Sequence, residues 1–455
     1  MGRVIAIAFW VLVIWLIRRD TRKRDGISLA LWIPTAWAFI ALSRPLSMWL
    51  NFGGGTDTLE GSPLDRIFYF GVIFLSVGIL IKRRLEWTEL VKKNWPVFLF
   101  YGYLLITVLW ADYPVVSFKR WVKDFGNVFV ALVILTERNP EQAIRAVFIR
   151  CAYILLPLSV IFLRYFPELG RAYSRSGGMQ VVGVTTQKNS LGALVLICGL
   201  VLLWEWLERT KKSRSRENRA ERYLPMILFS IGAYLILQCD SKTSIVCMAL
   251  GIGVLVSIKL PLLRRRIGAL GIYTLLGALA FYAADFFFGI RESVVSGLGR
   301  DMTFTGRTEV WREILALKTD PIFGIGFCSI WSNNIYLERL PIFVRGSAHN
   351  GYLEMYIDGG LIAVLLVVLM LLTVAWRINS QLTRRGNYAL LRFAFLLAAL
   401  IGDFSESHFG RMSSLWFAFL LIALEMPAKV FRSVTINTDE VLLVAAPRAS
   451  VMQPI

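Results

Sequence analysis

Histidine is almost absent from this chain: two occur in 455 residues, His349 and His408. Cysteine is scarce as well, with five in all. No Cys-x-x-Cys and no mixed His/Cys cluster offers the ligand spacing of a metal site. Cys151, Cys198 and Cys247 stand in apolar runs, where a small hydrophobe is the default, and nothing beyond a shared side of the bilayer suggests a bridge between Cys239 and Cys328. Charge is thin at 18% of residues, where a soluble domain carries about a quarter. Acids are the scarcer sign, 31 against 50 Lys and Arg, for a formal net charge of +19. These deficits exclude an ordinary soluble globular domain, a disulfide scaffold and a His/Cys metalloprotein.

What fills the space is apolar. The chain is 56% hydrophobic and 13% aromatic, with a mean hydropathy of +0.60. Apolar runs recur at 4–17, 27–43, 67–81, 95–110, 121–135, 146–163, 190–207, 224–238, 244–260, 267–288, 361–375, 390–401 and 413–424. Several fall short of the roughly 20 residues of a lone membrane helix, so aromatic and polar flanks must complete them. The pattern predicts an all-α polytopic membrane protein with about 12–13 transmembrane helices. Residues 1–290 form the N-terminal helices, 291–358 a long connector, 359–426 the C-terminal helices and 427–455 a poorly ordered tail. The first run resembles a signal peptide, but "IRRDTRKRDG" follows it in place of a small-residue cleavage site, which predicts a retained helix.

The basic excess is not spread evenly. Most of it sits in the connectors 18–25, 82–93, 208–222, 259–266 and 377–385, which fall on one side if the helices alternate. That is the positive-inside signature, so these connectors are cytoplasmic, the N-terminus lies outside and the C-terminus inside. "ERTKKSRSRENRAER" resembles a nucleic-acid tail only out of context; no nucleic-acid partner is implied, and the bilayer is the partner.

Outward connectors have no topological reason to be basic. Yet 164–189 holds Arg164, Arg171, Arg175 and Lys188 against the single acid Glu168, another adds Lys119, Arg120 and Lys123, and "CDSKTS" adds Lys242. Each alone reads as an interface anchor; together they suggest a pocket for an anion at the membrane surface. In the long connector, Val310, Trp311, Ile314, Leu315 and Leu317 mark an amphipathic helix lying on the bilayer, capped by Thr305 or Thr308 and stopped by Asp320-Pro321. Arg307 stands at its start, where the helix dipole disfavours a cation unless something anionic is near. Gly324 and Gly326 of "FGIGF" read as turn residues, the motif being too short for a phosphate loop. "GSAHNGYLEMYIDGG" then returns the chain to the membrane, with Ser347 and Asn350 placed to cap the helix entrance beside His349.

Taken together, "TGRTEVW", "DPIFGIGF" and "SAHNGYLEMYIDGGLIAVLL" resemble the signature of the O-antigen ligase and O-antigen polymerase superfamily. "GVTTQKNSLGALVL" and "SKTS" resemble its exopolysaccharide-polymerase branch more than its lipopolysaccharide ligases. The resemblance covers roughly 110–424 and implies a GT-C-type glycosyltransferase fold with a long periplasmic loop. It further implies transfer of a glycan from an undecaprenyl-pyrophosphate carrier to a hydroxyl acceptor, itself a glycan or lipid-linked, at the periplasmic face of the inner membrane. That transfer would invert the anomeric centre and need no metal or cofactor, with polysaccharide assembly machinery as a further partner. It places the family's loop arginine on Arg307, its essential histidine on His349 followed by Asn350, and its Lys-Asn pair on Lys188-Asn189, with Arg175 as the alternative to Lys188.

The chemistry agrees independently. A departing pyrophosphate is stabilised by charge-assisted hydrogen bonds from Arg and Lys, and an attacking hydroxyl needs a proton acceptor such as imidazole. No Asp-x-Asp pair, the metal site of many nucleotide-sugar transferases, occurs. Glu354, one helical turn past Asn350, and Glu406 are placed to orient the base or bind sugar hydroxyls, and His408 to line the same cavity. A lipid-linked glycan transporter or flippase is the alternative. Transporters, however, put charge near the midplane and often repeat their halves, whereas these apolar runs are almost free of charge and show no repeat.

Overall fold

The computed structural model describes residues 2–23, 26–51, 61–173, 177–211, 219–261, 265–288, 307–332, 334–341, 344 and 346–427. Every one of the thirteen apolar runs lies on helix. Among the described residues six helices are long and apolar enough to cross a membrane: Pro63–Lys82, Pro140–Tyr165, Lys188–Thr210, Arg222–Cys239, Gly351–Thr383 and Asn387–Ser405. Shorter apolar helices at Leu29–Ala41, Trp95–Trp110, Lys242–Ser257, Ile267–Gly277 and Ser414–Ala423 pack among them. The chain is an all-α, multi-pass membrane protein. Its one described sheet is a hairpin in which Arg171–Tyr173 pairs antiparallel with Met179–Val181.

The bundle has a centre and a rim. The Lys188–Thr210 helix is 89% buried within the protein over its apolar window, whereas Pro63–Lys82 is only 17% buried. Rim side chains such as Phe74, Leu365 and Trp376 are exposed, as expected where lipid rather than water is the neighbour. In the centre, two buried indoles are paired: Trp37 Nε1 donates to Asn127 Oδ1 at 2.9 Å, and Trp416 Nε1 to Tyr101 Oη at 2.7 Å.

The long helix Gly351–Arg385 is broken. Gly359 (φ −142°, ψ 19°) and Gly360 (φ 64°, ψ −161°) leave helical space, and only glycine enters the second conformation freely. The break frees backbone groups that a membrane cannot satisfy. The "PIFGIGF" loop satisfies them: Ile325 N–H donates to Ile357 O and Gly326 N–H to Asp358 O, while Leu361 N–H donates to Pro321 O. Gly324 and Gly326 have positive φ, as the turn reading expects, but their larger role is this close approach.

The amphipathic helix forms at Arg307–Ala316. Its expected position on the bilayer is corrected. Val310 and Ile314 are buried against Ile330, Leu340, Val344, Ala348 and Ile357, with Trp311 and Leu317 packed beside them. The connector is long enough to supply its own small apolar core, and the helix turns most of its apolar face there, leaving Leu315 exposed. Thr308 lies inside the helix rather than at its cap, and Thr305 lies outside the described residues. All five cysteines are free and buried.

Candidate functional site

Four bundle helices end at one place. The N-termini of Lys188–Lys211, Gly351–Arg385 and Ser414–Ala423 meet the C-terminus of Asn387–Ser405. At the opposite ends of two of them stand the basic stretches expected as connectors: 377–385 is the last part of the long helix itself, and 208–211 closes the Lys188–Lys211 helix. Between the converging ends lies a polar cavity of about 590 Å³, within the range of small-molecule sites. His349, Glu406, His408 and Asn189 line it, together with hydroxyls such as Ser190 and Ser407.

Local sequence explains how His349 is presented. Asn350 caps the long helix, its Oδ1 accepting from Leu353 N–H at 3.0 Å. The residue before the cap turns sharply, so His349 adopts φ +49°, the left-handed region. A non-glycine residue there costs on the order of 1–3 kcal/mol and marks functional sites more often than others. Ser347 Oγ accepts from His349 N–H at 3.1 Å, and Ser407 Oγ accepts from Asn350 N–H at 3.1 Å. The turn is thereby fastened to the 406–408 connector with the imidazole half-exposed.

Glu406 is the meeting point. Arg307 Nη2 donates to its Oε1 at 2.5 Å and Asn189 Nδ2 to the same oxygen at 2.6 Å, while Oε2 lies 3.4 Å from His349 Nδ1. Burial raises the carboxyl's pKa, but the hydrogen bond to His349 and the charges of Arg307 and both histidines outweigh it and hold the group below the ordinary carboxylate value. The anion expected beside Arg307 is therefore a residue of the protein itself. His408 lines the same cavity, yet its Nδ1 is buried without a hydrogen-bond partner. Burial pushes its pKa below the usual histidine value, with Glu406 opposing.

Other expected residues are placed away from this cavity. Arg120 holds the long connector, donating to Cys328 O at 3.2 Å and to Ser332 Oγ. Lys242 pairs with Asp240 at 2.6 Å, and Arg171 contacts Met179 Sδ on the exposed hairpin. None of the three lines the cavity. Lys188 begins its helix beside Asn189 without lining the cavity, and Arg175 lies outside the described residues. Glu354 is engaged within the protein. Its buried carboxylate accepts from Trp331 Nε1 at 2.9 Å, Ala348 N–H at 2.8 Å and Arg411 Nη2 at 3.2 Å. Asn350 is likewise spent as a cap.

Two arginines were missed. Arg411 lines the cavity and donates to Asp358 at 2.6 Å as well as to Glu354. Arg44 gathers backbone carbonyls of Gly183 at 2.8 Å, Val184 at 2.9 Å and Thr185 at 3.2 Å, fixing the loop that leads into Lys188-Asn189. Both stand on connectors that alternation of the helices would put on the same side as Arg171 and Lys242, so the test that singled out those two applies to them equally.

Residues 225–368 match the family described as O-Antigen ligase. Over 300 residues the chain is 25% identical to the exopolysaccharide production protein ExoQ of Rhizobium meliloti (strain 1021), a match covering 61% of this chain and 63% of that protein. The chain thus spans less than two thirds of the relative it matches. The family match agrees with the resemblance carried by the motifs, and the relative's name with its exopolysaccharide side. The matched stretch contains Arg307, His349 and the glycine break, whereas Asn189 and Glu406 lie outside it.

Proposed function

We propose that this chain, placed by its motifs and its matches among the O-antigen ligases and polymerases on their exopolysaccharide side, is a glycosyltransferase that moves a glycan from a polyprenyl-pyrophosphate carrier to a sugar hydroxyl. The observation that carries the reading is the convergence of Arg307, Asn189 and His349 on Glu406; all of these except Arg307 line the polar cavity. A cation for phosphate and a base for a hydroxyl stand within one side chain of each other, and hydroxyl and amide groups suited to sugar line the space between helix ends.

In the proposed reaction the acceptor oxygen attacks the anomeric carbon and the carbon–oxygen bond to pyrophosphate breaks. His349 takes the hydroxyl proton, and Arg307 stabilises the charge that develops on the leaving group. Under this reading Lys188, Arg171, Arg120 and Lys242, none of which lines the cavity, would meet an anionic lipid headgroup during its approach, and so would Arg175, which lies outside the described residues. Attack opposite the leaving group inverts the anomeric centre. The site occupies the helix ends opposite the basic connectors, which supports a periplasmic active site in the inner membrane.

Liposomes carrying the purified protein and a lipid-linked repeat unit test this reading. A ladder of repeats identifies a polymerase, and reaction only after a second acceptor is added identifies a ligase. Movement of the unit between leaflets without a new glycosidic bond would replace the transferase reading with a transporter.

A further inference from the structure

The imidazole of His349 has two carboxylates within reach of its backbone, and they are not equivalent. Glu354 sits one helical turn beyond, but Trp331, Ala348 and Arg411 occupy it. Glu406 comes from a different connector, 57 positions away, and its Oε2 faces the ring nitrogen Nδ1 at 3.4 Å. The other oxygen is already taken by Arg307 and Asn189. Catalytic hydrogen bonds in a substrate-free site are often this long and tighten on binding.

We propose that Glu406 is the positioning residue for His349: its Oε2 accepts the Nδ1–H of the neutral ring and so leaves Nε2 as the atom that receives the acceptor's proton. The inference rests on the transferase reading and adds to it the tautomer and orientation of the base. A neutral imidazole has one N–H and one lone pair, and the partner of the first decides which nitrogen carries the second. Three features hold the arrangement. The left-handed turn at His349 aims the ring toward the 406–408 connector. Ser407 Oγ receives Asn350 N–H and lies 3.3 Å from Ser347 Oγ, so the two segments cannot drift apart without losing both contacts. Arg307 keeps Glu406 ionised, so the proton taken from the acceptor stays on the ring and the carboxylate stabilises the resulting imidazolium.

The step balances. The hydroxyl O–H bond breaks and its proton forms the Nε2–H bond of His349. The oxygen's electrons form the new bond to the anomeric carbon, and the bonding pair to pyrophosphate leaves with the carrier. Glu406 changes neither its protonation nor its bonds.

The two-histidine composition makes the test direct. Protein labelled with ¹⁵N-histidine and purified through a histidine-free tag yields two imidazoles, and His349→Gln identifies the signal of interest. Neutral His349 in the wild-type protein is expected to carry its proton on Nδ1; a proton on Nε2 overturns the proposal. In the turnover assay Glu406→Gln is expected to lower kcat by about 10²-fold, at the lower end of what a general base contributes, with little change in KM for the lipid-linked donor. Glu406→Asp, which keeps the charge, recovers part of that loss. Wild-type kcat in Glu406→Gln also overturns it. If a variant fails to accumulate, the wild-type spectrum alone decides. If the wild-type chain forms no glycosidic bond with any acceptor, the transferase reading fails while the imidazole spectrum stays readable.

Discussion

Arg411 donates to Asp358 at 2.6 Å, tying the connector after the Asn387–Ser405 helix to the last residue before the glycine break. Asp358 is fully buried, and Glu354 on the same arginine is nearly so. Arg411→Ala leaves two buried carboxylates without their cation, a change that costs about 3–5 kcal/mol in comparable pairs. The expected outcome is a marked fall in the detergent-solubilised melting temperature and in membrane yield. Arg411→Lys recovers little, since one ammonium cannot fork between both acids. A melting temperature equal to wild type in Arg411→Ala would show that the pair contributes no stability.

The glycine break yields a sharper contrast. A Cβ on Gly360 would lie 2.0 Å from Ile322 O, at a φ of +64°. Gly360→Ala is expected to dislodge the loop and lower both stability and turnover. Gly253, inside the Lys242–Ser257 helix, has open space around its Cβ position, so Gly253→Ala is expected to be neutral or to stabilise by up to about 1 kcal/mol. Paired thermal melts check both.

Arg307→Ala is expected to reduce product formation severely while the protein still reaches the membrane. Arg307 has two tasks in the proposed site, holding Glu406 and meeting phosphate, and a planar guanidinium serves both. Arg307→Lys should therefore rescue poorly. Turnover in Arg307→Ala at the wild-type rate excludes the clamp.

His349→Gln keeps a hydrogen-bonding side chain of similar reach but cannot accept a proton. Turnover is expected to fall about 10²–10⁴-fold, with affinity for the lipid-linked donor largely retained. A wild-type rate for His349→Gln excludes His349 as the base.

His408 and Glu406 each make a destabilising contribution as the pH falls. The lowered pKa of His408 means that the unfolded chain takes up a proton first as pH falls through the ordinary value of 6.5, and stability declines from there. The lowered pKa of Glu406 contributes stability that is intact above the ordinary 4.5 and is lost as pH drops through the lower folded value. The melting temperature of the wild-type protein relative to His408→Gln is expected to fall as pH drops through about 6.5. A profile unchanged by His408→Gln would show that the histidine is not responsible.

Much of the fold was written in local pattern. Each apolar run lies on helix because helix is one of the few ways a chain can satisfy its own backbone in lipid. The cap at Asn350 and the helix over Arg307–Ala316 follow from short-range signals that need no knowledge of the rest of the chain. The chain alone also marked His349, Arg307, Asn189 and Glu406 as residues of interest. Their assembly belongs to tertiary structure. Glu406 reaches partners 57, 99 and 217 positions away, and contacts of that separation leave no periodic trace. Glu354, closer to His349 in sequence, proved to be occupied by Trp331, Ala348 and Arg411. Local pattern placed the amphipathic helix on lipid, yet the returning connector covers most of its apolar face, Leu315 excepted. An apolar face records only that something must bury it, and the three-dimensional path of the chain decides what does.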